Sequence, residues 1–206
     1  MKPLSRRKLL IDSAAIAGGS ALSGTVIAAI LTPSASEGPF YPTASMRMDD
    51  VDNDLVKVAG AVEQAGGEII ELHGRLLNRQ GLPLADHRVE IWQCDVNGKY
   101  LHRGDDRDVV YDTGFQGFGY DITDADGHYR FRTIKPTIYP GRAPHIHVKV
   151  LQGRRELLTT QFYIADDPHN HRDWLYRRMS RAQAESVSMR FVEAGNLLET
   201  QVDIVV

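Results

Sequence analysis

Tyr129, Phe131 and Thr133 stand at alternate positions directly after the turn-forming string Thr123-Asp124-Ala125-Asp126-Gly127. The same period of two returns at Val187, Met189 and Phe191, and again at Leu198, Thr200, Val202, Ile204 and Val206. Apolar residues two apart share one face of a strand and not of a helix. Earlier in the chain, the short runs Leu72 to Leu77 and Arg88 to Gln93 flank Asn78-Arg79-Gln80-Gly81-Leu82-Pro83, a cluster of turn formers. Short strands divided by tight turns predict an all-β chain folded as an antiparallel sandwich with long loops. Only Asp173 to Glu185 has helical spacing, with Trp174, Leu175, Arg178 and Met179 near one face. At most one short helix is expected.

The first residues are of a different kind. Lys2, Arg6, Arg7 and Lys8 make a basic start, and an apolar stretch rich in Ala, Gly and Ser runs from Ala14 to Leu31. Ser5-Arg6-Arg7-Lys8-Leu9-Leu10 resembles a twin-arginine export motif. Residues 1–36 are therefore expected to be an export leader and linker, and residues 37–206 one folded domain. The expected destination is the periplasm or the exterior. An uncleaved leader would instead act as an N-terminal membrane anchor, since eighteen residues are about the minimum for a span. The single Cys94 excludes an intrachain disulfide, so stability must come from the core, where Cys94 itself reads as a small buried hydrophobe. A net charge of -3 that already includes the basic leader gives nucleic acid no handle. Homo-oligomerisation is left open.

Chemistry concentrates in Lys135-Pro136-Thr137-Ile138-Tyr139-Pro140-Gly141-Arg142-Ala143-Pro144-His145-Ile146-His147. Val148, Lys149 and Val150 continue a strand-like run, so His145 and His147 project from one face with Cα atoms roughly 6.5 Å apart. Both rings can then converge on one metal. The three prolines stiffen the approach and favour a loop or sheet edge. Tyrosine is an uncommon ligand, because a phenol with a pKa near 10 must lose its proton first, and a hard trivalent iron suits that task. Spacing alone does not choose the partners among eight tyrosines. Asp166-Asp167-Pro168-His169-Asn170-His171 looks like a second metal cluster but reads better as a solvated loop. Asp124-Ala125-Asp126-Gly127 lacks the glutamate that would close a calcium loop and reads as a hairpin turn.

The order and spacing of several strings resemble the intradiol ring-cleavage dioxygenases, a family that includes the protocatechuate 3,4-dioxygenase β subunit and the catechol 1,2-dioxygenases. They are Glu37-Gly38-Pro39-Phe40-Tyr41-Pro42, Val89-Glu90-Ile91-Trp92-Gln93-Cys94-Asp95, Gly98-Lys99-Tyr100, Phe131-Arg132-Thr133-Ile134-Lys135-Pro136, Pro144-His145-Ile146-His147 and Thr160-Gln161-Phe162-Tyr163. The resemblance implies a transthyretin-like sandwich and an Fe(3+) centre ligated by Tyr100, Tyr139, His145 and His147. It further implies that Arg142 stabilises a ketonised catecholate and that Gln161 orients substrate or intermediate. Tyr139 would leave the metal as substrate binds and serve as a base. The implied substrates are a catechol-type ring and O2, with no organic cofactor.

Gly141 stands where the protocatechuate enzyme has a bulky tryptophan, and the segment before Arg142 is shorter, so a more open pocket wall is expected. Two other readings stand beside this one. An exported sandwich could be a binding module, and a zinc hydrolase could use the two histidines with a carboxylate, although that leaves both tyrosines without a role.

Overall fold

The structure, a computed structural model, describes residues 30–206. The expected leader at 1–29 lies outside the described residues. Ten strands follow in order: β1 Ile69–Leu77, β2 Arg88–Trp92, β3 Phe118–Ile122, β4 His128–Ile134, β5 His145–Gln152, β6 Arg155–Ile164, β7 Ser188–Met189, β8 Val192–Ala194, β9 Leu197–Gln201 and β10 Ile204–Val205. They form two five-stranded sheets. In one, β1 is central, flanked by β4 on one edge and by β9, β10 and then β8 on the other. The second runs β3-β2-β5-β6-β7.

Most pairings are antiparallel, as the alternation implies, but β1–β9, β1–β10 and β6–β7 are parallel. The expected all-antiparallel arrangement therefore needs correcting. The chain completes the second sheet before returning to β1, and that long crossover is what a parallel pair requires. The C-terminal alternation expected as one run is likewise divided, because Val202 and Asp203 separate β9 from β10.

Residues from both sheets share one core. Ile70 and Leu72 of β1 and Phe131 of β4 pack in the same cluster as Val89 and Ile91 of β2 and Ile146, Val148 and Val150 of β5. Each set has the period of two that places it on one sheet face. The opposite face of β5 carries His145, His147 and Lys149, and these are buried as well. Burial on both faces needs a cover, which the segment before β1 supplies. Thr32 N donates to Val205 O, Ala35 N to Thr159 O, Thr160 Oγ1 to Pro33 O and Gln161 Nε2 to Ser36 O.

Asp173 to Glu185 is not one helix. It lies among two three-residue 3-10 turns, Asn170–Arg172 and Tyr176–Arg178, and ends in α1, Arg181–Ser186. Ser180 starts α1 with a reciprocal capping box to Gln183. The helix cannot extend back through 173, because the Asp173 side chain takes the amides of Leu175 and Tyr176 into a local turn.

Candidate metal centre

The two histidines lie at the start of β5, the middle strand of its sheet. Trp92 on β2 and Gln161 on β6 pair with His147, and Tyr163 pairs with His145. The Trp92 indole stacks on the His147 imidazole at 4.7 Å and 9°, fixing one ring plane. His145 Nδ1 lies 2.6 Å from Ala143 O. A carbonyl accepts only, so His145 carries its proton on Nδ1 and turns a bare Nε2 inward.

Tyr100 reaches the same place from the loop after β2. Asp95 Oδ1 accepts from the amides of Asn97 and Lys99 to form the turn. Asp105 Oδ2 then accepts from Tyr100 N at 2.8 Å. At Gly98 the backbone has φ +72°, and an added Cβ would stand 2.5 Å from Ile138 O. Only glycine lets this loop press against the one bearing Tyr139. Gly98→Ala is therefore expected to destabilise the fold by about 1–3 kcal/mol and to weaken iron retention. Urea denaturation with iron analysis checks this, and unchanged stability and iron content would contradict the packing argument.

Tyr100, Tyr139, His145 and His147 form a closed cycle. Ring centroids lie 5.6 Å apart for Tyr100–Tyr139, 6.3 Å for Tyr139–His145, 4.6 Å for His145–His147 and 6.1 Å for His147–Tyr100. The two Nε2 atoms are 3.1 Å apart. Two imidazole nitrogens bound to one ion at about 2.1 Å and near a right angle stand about that far apart. The buried Tyr100 hydroxyl and His147 Nδ1 have no hydrogen-bond partner. A buried phenol oxygen without a partner is costly, and a cation resolves it.

The electrostatics of the site agree. Burial, then the Arg142 charge, lowers the His145 pKa to about 4. Burial, His145 and Arg142 push His147 well below its ordinary value. Both rings are thus neutral, the form that ligates. Burial, with Cys94 and Tyr139 adding to it, drives the Tyr100 phenol well above its ordinary value, so its ionisation must come from a bound cation. Below pH 6.5 the unfolded chain takes up protons that folded His145 and His147 both refuse, so stability declines as pH falls, the His145 contribution ending near pH 4. Without bound metal the His145 contribution alone is expected to cost about 3 kcal/mol between pH 6.5 and 4, and His147 adds to it. Thermal unfolding across that window checks it, and a flat or rising midpoint would contradict it.

Arg142 is locked beside the cycle. Its Nε donates to Asp173 Oδ2 at 2.8 Å and its Nη2 to Gln161 Oε1 at 2.6 Å and to Tyr163 Oη at 3.2 Å. Nη1 has no protein partner among the described residues. Gln161 is equally fixed, since Tyr163 also donates to its Oε1 while Ser36 O takes its Nε2.

Asp173, whose side chain is 0% exposed, is the residue that sequence reasoning misses. It accepts from Arg142, from Ala143 N at 3.0 Å, and from Leu175 and Tyr176 amides. Burial works against its charge, but the Ala143 amide and the Arg142 guanidinium outweigh it and lower its pKa. An Asp two and three residues before the amides it takes is a turn-starter signal that the sequence does carry.

Of the other histidines, His102 sits edge-on to Phe40 at 5.7 Å, while His128 is exposed beside Asp124 on the β3–β4 hairpin. No group of three or more His, Cys, Asp or Glu able to hold a metal occurs among the described residues, and 166–171 is a turn segment leading into the 3-10 turn at Asn170, with His169 paired to Asp167. A cavity of about 450 Å³ lies among His73, Arg75, His128 and Arg130 and shares no residue with the ring cycle.

The family model described as Dioxygenase matches residues 36–206, a span that holds all these side chains. The chain belongs to the intradiol dioxygenase family. Among its relatives in that family, the protocatechuate 3,4-dioxygenase β chain of Burkholderia cepacia is 37% identical over 169 residues, covering 75% of this chain and 71% of that one. Catechol 1,2-dioxygenase of Acinetobacter baylyi is 30% identical over 179 residues, covering 70% of this chain and 50% of its own. This chain thus spans about half the length of that catechol relative. Among solved intradiol-type folds, the dioxygenase domain of a dioxygenase carbohydrate-binding protein fusion from Streptomyces sp. SirexAA-E aligns with a TM-score of 0.64 at 31% identity. It covers 86% of this chain and 98% of that one.

Proposed function

We propose that this protein is a non-haem iron(III) intradiol dioxygenase. It inserts both atoms of O2 into a catechol-type ring and cleaves between the two hydroxyl-bearing carbons, giving a cis,cis-muconate-type diacid. The observation that carries this reading is the closed cycle of Tyr100, Tyr139, His145 and His147, with two Nε2 atoms 3.1 Å apart and an unpartnered buried phenol. Two phenolates and two neutral imidazoles suit iron(III), and these four side chains would hold it. Among the described residues no carboxylate or thiol joins the histidines in a metal-holding group, so the zinc-hydrolase reading lacks its third ligand. A binding module has no use for a costly unpartnered phenol beside two buried, neutral imidazoles.

When bound, iron(III) supplies the Lewis acid that draws electron density from the catecholate ring toward dioxygen. The protein supplies the rest. Tyr139, only half-buried where Tyr100 is buried, would be the more accessible of the two phenol ligands and the one placed to take a substrate proton at Oη. Arg142, held by Asp173 and aimed by Gln161 and Tyr163, stabilises negative charge developing on the substrate oxygen. Gln161 holds its amide toward that guanidinium. Trp92 and Phe40 wall the cycle and exclude water from it.

The two sheets read as a transthyretin-like sandwich, with the site on the outer face of the β2-β5-β6 sheet. The basic start and apolar stretch at 1–31 support export by a twin-arginine route, with plant- or lignin-derived catechols as the substrate class. Turnover under 18O2 tests the reaction. Both labelled atoms are expected in the diacid product, and incorporation of one atom or none would overturn the assignment.

A further inference from the structure

The two tyrosines of the cycle are not equivalent, and the difference has a source in the loop after Tyr100. Arg107 places its guanidinium carbon 5.5 Å from the centre of the Tyr139 ring, within cation–π range. It is held there by a fork on Asp105, Nε to Oδ1 at 2.8 Å and Nη2 to Oδ2 at 2.6 Å, and by Nη2 to Gly98 O. Asp105 is the same carboxylate that accepts the Tyr100 amide. One ion pair thus fixes the backbone of the first tyrosine and sets a permanent positive charge near the ring of the second.

We propose that Arg107 is a positioning residue that makes Tyr139 the weaker and more readily displaced of the two phenolate ligands. A cation at the ring stabilises negative charge on the phenolate itself, so less of that charge is donated to the metal. It also holds the ring at 89° to Tyr100, with Phe40 stacked on Tyr100 at 4.7 Å and edge-on to Tyr139 at 5.9 Å. Among the described residues no guanidinium stands over the Tyr100 ring, although the Arg142 charge also acts on its phenol, and Tyr100 is buried. Asymmetry between the tyrosines is then built into the protein before any substrate arrives.

This inference rests on the four-ligand reading above, and its test separates the two. Iron-loaded wild type, Arg107→Gln and Arg107→Lys are compared by visible absorption and by anaerobic catechol titration. With the cation removed, the tyrosinate-to-iron(III) band is expected to move to longer wavelength. The catechol concentration that half-converts the spectrum should rise two- to fivefold, the effect of one partly exposed cation–π contact. Arg107→Lys, which keeps the charge but loses the fork, should show the same shifts at smaller size, and it serves as the test if Arg107→Gln does not fold. A coloured wild type whose band and titration are matched by both variants would overturn the role of Arg107 alone. A wild type left colourless by iron would overturn the ligand set beneath it.

Discussion

Replacing His147 by alanine is expected to remove iron and ring cleavage together. His147 offers its Nε2 beside that of His145 and is pinned by the Trp92 stack, so no neighbouring side chain can take its place. Loss of even an outer partner of a metal ligand costs about 10–100-fold in affinity or activity, and loss of the ligand itself should exceed the upper figure. Metal analysis after dialysis, with oxygen uptake on catechol, reads both effects. A variant that keeps a full complement of iron and turns over would show that the histidine pair is structural. Trp92 should hold the strand in either case, because its indole is fully buried.

Asp173→Ala is expected to have the second largest effect, on stability and catalysis at once. Arg142, 12% exposed in its side chain, would be left as a buried cation without its counter-charge, a change that costs about 3–5 kcal/mol. The Ala143 amide, two residues before His145, would lose its acceptor as well. A guanidinium that drifts from the developing substrate charge should lower kcat by about 10²–10³, the range for losing one aimed donor. Asp173→Asn keeps the size and one carbonyl acceptor, so it should lose less stability while still slowing turnover. Urea denaturation and steady-state kinetics on the two variants provide the check. Equal activity in Asp173→Asn and wild type would mean that the charge of Asp173 does not position Arg142.

Much of this was legible in the chain. Period-two alternation identifies strands because it reports one buried face, and Tyr129, Phe131 and Thr133 lie on β4 as that rule requires. The two histidines follow from strand spacing, whereas the choice of Tyr100 and Tyr139 rests on family resemblance, since loop closure between them depends on contacts such as Gly98 against Ile138 that no local pattern encodes. Helical spacing at 173–185 misled because side-chain hydrogen bonding by Asp173 competes with helix formation there. The parallel strands stayed hidden for a related reason. Alternation fixes which way side chains point and says nothing of which strand lies beside which. Asp105 and Arg107 were invisible because an acid and a base two apart in a polar loop look like any solvated stretch until the fold brings Tyr139 over them.

The central claim is an iron(III) centre made by two tyrosines and two histidines. The measurement that tests it most directly is the visible absorption spectrum of the purified full-length protein, with metal analysis, before and after anaerobic addition of a catechol. The account predicts one iron per chain and a red-brown tyrosinate-to-iron(III) charge-transfer band that shifts as catechol binds. A protein that stays colourless after iron reconstitution, or a band that ignores catechol, would contradict it.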